Sequence, residues 1–445
     1  MRKAQKFWLE LGDTVMQGWS KRRLIEITEK IGSGATPRGG QEAYKETGIS
    51  LFRSLNVYDG VFKEKNLAFI DDDQANRLSN VVVREGDVLL NITGASIARC
   101  CAAPLELLPA RVNQHVMIVR PKPDCIDTNF LAYLLVSKQY KDALLNTGEK
   151  AGSTRQALTK TQIENFEVTI PKLPEQKRIV LIVDQAFEGI DRAIANTQKN
   201  LTNARELFES YLNAIFTQKG DGWIEKKLGD AELLQIIDGD RGKNYPKESD
   251  FLVEGHCLFL NTKNVRPNGF NFDTTIFITQ EKDDILRKGK LKRRDVILTT
   301  RGTIGNIAIY DDSVEFDHIR INSGMLIFRP NESIIRSEYL FEVLRSSIVK
   351  SQIEKFTSGA AQPQLPIKTL VNFTLPVPTL EDQSQIVSSL HGLSAETQRL
   401  EAIYRQKLAA LNELKQSILQ KAFTGELTAD TTNQATKTAK EVIAA

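Results

Sequence analysis

The chain has 445 residues, 41% apolar and 26% charged, with 59 Lys and Arg against 56 Asp and Glu for a formal net charge of +3. That length exceeds one ordinary core and suggests about two to four domains. The near-neutral charge excludes a uniformly basic nucleic-acid binder, so any phosphate-gripping face must segregate its cations.

From the N-terminus, Arg2, Lys3, Lys6, Glu10 and Asp13 break up the apolar residues of Met1 to Ser20, which therefore lacks a signal-peptide core. No apolar run reaches the roughly 20 residues that span a bilayer, and a cytoplasmic location is the expectation. Between Trp19 and Pro171, β-type runs at Val81 to Val83, Asp87 to Ile92 and His115 to Val119 alternate with turn residues. A helical run follows near Thr128 to Leu145, with Phe130, Leu134, Leu135, Ala143 and Leu144 at three- and four-residue spacing.

Next comes a long helix. Ile179, Val183, Ala186, Ile190, Ala193, Thr197, Leu201, Ala204, Phe208, Tyr211 and Ile215 form a heptad seam, with Pro174 in its first turn and Gly220 closing it. The chain then repeats itself. Strands are expected at Val296 to Thr300 and Met325 to Phe328, and a helix near Ser337 to Ile353. A second seam runs through Ile386, Leu390, Leu393, Thr397, Leu400, Tyr404, Leu408, Leu411 and Leu414, then Ile418 and Ala422, bounded by Pro378 and Gly425. Residues after Leu427 are rich in Thr, Ala and Lys and read as a flexible tail.

The repeat is strongest where each first part enters its helix. Gly152 to Val180 aligns without a gap on Gly359 to Val387 at a constant offset of 207, pairing Leu158/Leu365, Phe166/Phe373, Pro171/Pro378, Gln176/Gln383 and Ile179/Ile386. The offset continues through Leu201/Leu408, Leu212/Leu419 and Phe216/Phe423. Upstream the match weakens to Gly18-Trp19 with Gly222-Trp223, Asp87 with Asp295, and Arg120-Pro121 with Arg329-Pro330. Each copy thus has a variable first part and a well-matched last part, as expected of two modules that share a scaffold but read different ligands. A half-apolar helix of this length needs a partner, and the equivalent seams make each the partner of the other; an antiparallel pair places one domain at each end.

The fold class is α/β: two α/β domains with largely antiparallel sheets, joined by two long helices in an antiparallel coiled coil with a pseudo-two-fold internal repeat. The expected boundaries are 1–172 for the first α/β domain, 173–219 for the first helix, 220–379 for the second domain, 380–427 for the second helix and 428–445 for the tail.

No catalytic centre emerges. Gly239 to Lys243 lacks phosphate-loop spacing, no glycine-rich dinucleotide turn follows a strand, and no Asn/Asp-Pro-Pro-aromatic loop of an amino-methyltransferase is present. His115, His256, His318 and His391 are scattered, and Cys100, Cys101, Cys125 and Cys257 read as buried free thiols without metal-ligand spacing. No cofactor or metal is expected.

Candidate DNA contacts are the Arg, Asn, Gln and Lys side chains in turn-rich parts of the variable regions, because these pair with base edges or neutralise phosphate. In the first half they are Arg53, Asn56, Arg99, Arg111, Asn113 and Gln114, with the loop Ser153, Thr154, Arg155 and Gln156 after Gly152. In the second they are Arg241, Lys243, Asn261, Lys263, Asn264, Arg301, Thr303, Asn306, Arg320 and Asn322, with Gln362 and Gln364. Glycines at 152, 302 and 305 permit close backbone approach in those loops.

With these residues in view, the chain resembles a Type I restriction–modification specificity subunit over nearly its whole length. The resemblance rests on the Gly-Trp opening each half, on IPKLPEQKRI (Ile170 to Ile179) entering a long helix, and on AFTGEL (Ala422 to Leu427) ending one. The second copy, VPTLEDQSQI (Val377 to Ile386), has Asp382 where the pattern has Glu, and the first helix ends IFTQKG (Ile215 to Gly220). The resemblance implies a non-catalytic subunit with two target-recognition domains, each reading half of a split double-stranded DNA site, and helices that act as a ruler. It also implies docking of two methyltransferase subunits and of ATP-driven restriction and translocase subunits, and no membrane association. A structural coiled-coil adaptor and a nucleic-acid enzyme with an unrecognised site remain as alternatives.

Overall fold

The internal repeat is built in three dimensions as two copies of one plan. The structure, a computed structural model, describes residues 18–37, 39–149, 157–218, 220, 222–267, 269–357 and 364–428. It divides into two units, one ending at Thr197 and resuming at Gln406, the other running from Gln198 to Arg405. Both boundaries fall inside long helices, Leu173–Gln218 and Leu380–Phe423. The expected tail, apart from Thr428, lies outside the described residues.

In the first unit an antiparallel sheet has the strand order Thr28–Ser33, Val116–Pro121, Val88–Asn91, Cys100–Ala102. Its central strand, Val88–Asn91, is buried throughout, so Val88, Leu89 and Leu90 read as a continuous apolar run rather than an alternating one. Val88 and Leu90 pack with the helices, whereas Leu89 turns to the other face and a second sheet. That second sheet joins Ala68–Ile70, Ile49–Phe52, Ala110–Val112 and Val82–Val83, and its central pair is parallel. In the other unit Leu234–Asp238, Met325–Pro330, Val296–Thr299 and Ile307–Ile309 form the first sheet, and Cys257–Leu260 pairs in parallel with Ile319–Ile321 in the second.

The weakly matched upstream residues recur because they form one buried ion pair. Arg120 donates to Asp87 through Nε (2.7 Å) and Nη2 (2.8 Å), and Asp87 also accepts the backbone N–H of Arg84 (2.7 Å). Arg329 does the same to Asp295 (2.8 and 2.7 Å), which accepts from the Lys292 N–H (2.7 Å). The turn before each aspartate needs a left-handed residue, and Gly86 (φ +81°) supplies it in one unit while Arg294 (φ +74°) adopts it in the other.

A glutamine fixes where each long helix begins. Gln176, fully buried, donates to the carbonyls of Pro171 (2.9 Å) and Cys125 (3.1 Å) and accepts from the Asp127 N–H (2.9 Å). Gln383 donates to Pro378 (3.0 Å) and Ile334 (2.9 Å) and accepts from Arg336 (2.8 Å). Pairing between the helices is antiparallel. Asp191 bonds Lys415 in one unit and Arg205 binds Glu401 in the other (3.0 and 3.2 Å), so partners rise along one helix as they descend the other. Each unit's core takes the start of one helix and the end of the other: Ile179 and Val183 with Leu419, Ala422 and Phe423, or Leu390 with Leu212 and Phe216.

Three expectations are corrected. The single helices expected over Thr128 to Leu145 and Ser337 to Ile353 are pairs, Thr128–Val136 with Lys138–Glu149 and Ser337–Arg345 with Ser347–Thr357. Ser137 and Ser346 break them in extended conformation, their hydroxyls donating to the carbonyls of Leu134 and Val343 (2.7 Å each). Tyr211 leaves the seam and is exposed, because the helix end turns to its own core through Leu212 and Phe216. Leu414 is likewise exposed, and Leu419 and Ala422 take up the packing.

Candidate nucleic-acid interface

In each unit the candidate residues concentrate on three neighbouring loops: a β-hairpin, the turn after the central strand, and the end of the parallel pair. A buried asparagine locks the hairpin. Asn56 donates to the carbonyls of Lys63 (2.8 Å) and Lys65 (3.3 Å) and accepts from the Arg53 N–H (3.2 Å). Asn264 donates to Asn271 (3.1 Å) and Thr274 (2.8 Å) and accepts from the Asn261 N–H (3.0 Å). The hairpins are tied to the central sheet by Asn91 Nδ2 to the Ser54 carbonyl (2.9 Å) and by Asn306 Nδ2 to the Val265 carbonyl (2.9 Å).

Several expected base contacts are therefore spent inside the protein. Asn56 and Asn264 are buried hairpin locks. Arg111 is buried on the Ala75 carbonyl (3.1 Å), and Arg320 is buried on Asp283 and the Leu286 carbonyl (2.9 Å). Asn113 and Asn322 shape their turns, accepting from the N–H groups of His115 (3.1 Å) and Gly324 (2.9 Å). Arg53 folds back to the Asn66 carbonyl and over the Tyr44 ring.

Others stay accessible. In the first unit Gln114 is exposed, accepting from the Thr36 hydroxyl beside His115, which bonds Thr93 (2.6 Å). Arg99 lies 4.7 Å over the Tyr58 ring, and Lys63 is 3.9 Å from the same ring. In the second unit Lys243, Lys263, Arg301, Thr303 and Gln364 are exposed, and Arg241 pairs with Asp238 (3.1 Å). An isolated β-bridge sets Gln364 against Arg301, as another sets Ala157 against Thr93. Ser153, Thr154, Arg155, Gln156 and Gln362 lie outside the described residues.

Sequence reasoning passed over Tyr58, Lys63, Thr36 and Arg266. Tyr58 and Arg266 occupy the same place, each the second residue after its locking asparagine. The registers supply further equivalences. Asn91 N–H bonds the Arg99 carbonyl as Thr299 N–H bonds that of Asn306, which matches Arg99 with Asn306 and Thr93 with Arg301. Hairpin positions match Arg53 with Asn261 and Leu55 with Lys263. The scaffold is conserved between the units, while these outward side chains change type.

Among the described residues no group of three His, Cys, Asp or Glu side chains is arranged to hold a metal ion. Burial pushes the thiols of Cys101 and Cys257 up to about 12 and that of Cys100 well above its ordinary value, which leaves them unreactive. Cys125 departs from the expectation of buried thiols, since it is exposed. Maleimide at neutral pH is expected to label Cys125 alone in the folded protein, with the other three reacting on unfolding. Mass spectrometry checks this, and rapid labelling of a second thiol contradicts it.

The family model described as Type I restriction modification DNA specificity domain matches the chain twice, over residues 16–203 and 220–410. The chain belongs to this family. Each specificity-domain match takes in one globular part and runs on into the helix that follows it. Relatives include the Type I restriction enzyme EcoKI specificity subunit of Escherichia coli K12, 22% identical over 93% of this chain and 90% of its own length. The EcoBI specificity subunit of Escherichia coli is 24% identical over 72% of this chain and 70% of its own. The fold is shared with a solved chain of a type I R-M system (21% identical, TM-score 0.73, covering 93% of this chain and 100% of that one). It is shared also with the HsdS subunit of Thermoanaerobacter tengcongensis (21% identical, TM-score 0.54, 92% and 97%). Two specificity domains and two paired helices are thus one Type I specificity-subunit architecture, and among the described residues no helix is long and apolar enough to cross a membrane.

Proposed function

We propose that this specificity subunit reads a bipartite double-stranded DNA target, one half through each α/β unit. It assembles two methyltransferase subunits and the restriction and translocase subunits around that target, acts in the cytoplasm, and contributes no catalytic centre. The observation that carries this reading is the contrast between the repeats. Both units keep the same asparagine-locked hairpin and aspartate–arginine pair, yet equivalent loop positions carry Arg99 against Asn306, Thr93 against Arg301 and Tyr58 against Arg266. A scaffold held constant while hydrogen-bonding side chains vary is what two readers of different base sequences require. An adaptor with no base readout has no use for that variation.

Replacing residues 223–378 with the second domain of another specificity subunit, in cells that supply the methyltransferase partner, is expected to change one half of the methylated sequence. The other half stays as it was. Methylome sequencing reads the result, and a change in both halves, or in neither, contradicts the modular reading.

A further inference from the structure

Among the arginines of the first unit's loop cluster, Arg99 differs from the rest. Arg111 is buried against the carbonyls of Ala75 and Ala110 (3.1 Å each), and Arg53 is held by the Asn66 carbonyl. The Arg99 side chain is half-buried, and its described contact is with a ring: the guanidinium carbon sits 4.7 Å from the Tyr58 centroid. Its backbone is placed by a turn that side chains rarely adopt. Ala98, buried, has φ +63°, and the Arg99 N–H and carbonyl are both engaged, with Ser96 (3.1 Å) and Asn91 (2.8 Å). The second unit has Gly305 (φ +88°) at this place, so the turn belongs to the shared scaffold.

A guanidinium seated by a cation–π contact keeps its N–H donors along its edge for a ligand in the same plane. In the major groove guanine presents two adjacent acceptors, O6 and N7, whereas adenine pairs an acceptor with a donor and cytosine offers a donor. We propose that Arg99 specifies a guanine in the first half-site by donating to O6 and N7, with Tyr58 as its positioning residue. This rests on the reading that the first unit contacts bases. Lys63, exposed and 3.9 Å from the same ring, adds positive charge where a phosphate backbone would pass. The second unit cannot use this device. Asn306, matched with Arg99, ties its Nδ2 to the Val265 carbonyl (2.9 Å), and Arg266 stands where Tyr58 does.

The test uses the full chain with its methyltransferase partner, binding a randomised duplex library, alongside methylome sequencing. The wild-type first half-site is expected to contain a fixed G·C pair. Arg99→Lys keeps the charge and loses the fork, so preference at that pair should fall roughly 5- to 150-fold while every other position holds. Tyr58→Leu should weaken preference at the same pair alone, where a merely structural role for the ring would lower affinity at every position, and Tyr58→Phe, which keeps the ring, should restore it. The proposal is overturned by a first half-site without a fixed G·C pair. It is overturned equally if Arg99→Lys keeps all preferences, or loses affinity uniformly across sequences, as a phosphate contact would. A wild-type complex with no sequence preference at all instead removes the base-reading assignment, and this inference with it.

Discussion

Replacing Asp283 with alanine is expected to cost the second unit about 3 kcal/mol, the low end of what removing one partner of a buried ion pair costs. The Asp283 side chain is fully buried and accepts from Arg320 and from Lys290 (2.5 Å), with His256 Nε2 at 3.7 Å. Truncation leaves Arg320 buried without a counter-charge. Arg320 keeps three backbone acceptors, the carbonyls of Asp283 (2.7 Å), Lys288 (2.8 Å) and Leu286 (2.9 Å), and these hold the loss to the lower figure. The first unit supports that choice, because there Arg111 is buried on the Ala75 carbonyl and, among the described residues, pairs with no carboxylate. The pair also makes the units respond differently to acid. Burial alone would raise the Asp283 carboxyl, but the bonds from Lys290 and Arg320 outweigh it and hold it below 3.8. A carboxyl lowered on folding stabilises fully above its unfolded value, and that contribution disappears as pH falls through the folded one. Below about pH 4 the second unit is therefore expected to open before the first. Asp283→Ala should remove this extra acid sensitivity, because the variant has no carboxyl there to protonate, while leaving the second unit less stable at every pH. Hydrogen exchange followed by mass spectrometry reports each unit separately, and a loss under about 1 kcal/mol in the variant at pH 7 would contradict the ion-pair account.

Much of the scaffold was legible because it is written twice. The offset of 207 singled out Gln176 with Gln383 and Phe216 with Phe423 before any contact was visible, and these prove to be the helix-start locks and the core anchors at the helix ends. What a sequence cannot express is which way a polar side chain faces. Asn56 and Asn264 lie in turn-rich stretches as a base-reading asparagine would, yet both are closed hairpin locks. Their recurrence at the same place in both copies was the available signal, since a reader of variable sequence is expected to vary. Arg99 passes that test because its counterpart is Asn306, and Arg301 passes because its counterpart is Thr93. The paired serines at 137 and 346 carried a similar signal for the helix breaks. Apolar spacing hid those breaks because the residues on either side bury in the same core.

Lengthening both long helices by four residues is expected to widen the spacer between the half-sites by one or two base pairs and leave the half-site sequences unchanged. The insertions belong between Thr197 and Gln198 and between Arg405 and Gln406, where the boundary of the two units falls inside each helix, so neither core is touched. Four residues add about 6 Å of rise and about 40° of rotation beyond a full turn. B-DNA advances about 3.4 Å and turns about 35° per base pair. The rise asks for one to two base pairs and the rotation for one, so both demands point the same way. Seven residues form a different test. They preserve the heptad seam but add about 10.5 Å with a net rotation of about −20°, whereas three base pairs turn the duplex about 100°. The rise and the rotation then conflict, and methylation should weaken instead of moving to a wider spacer. If the helices were a passive tether, both insertions would be absorbed and the spacer would stay as it was. Methylome sequencing of cells carrying each variant separates the outcomes. A rigid ruler gives a wider spacer with four residues and poor methylation with seven, and full activity on the original spacer in both excludes it.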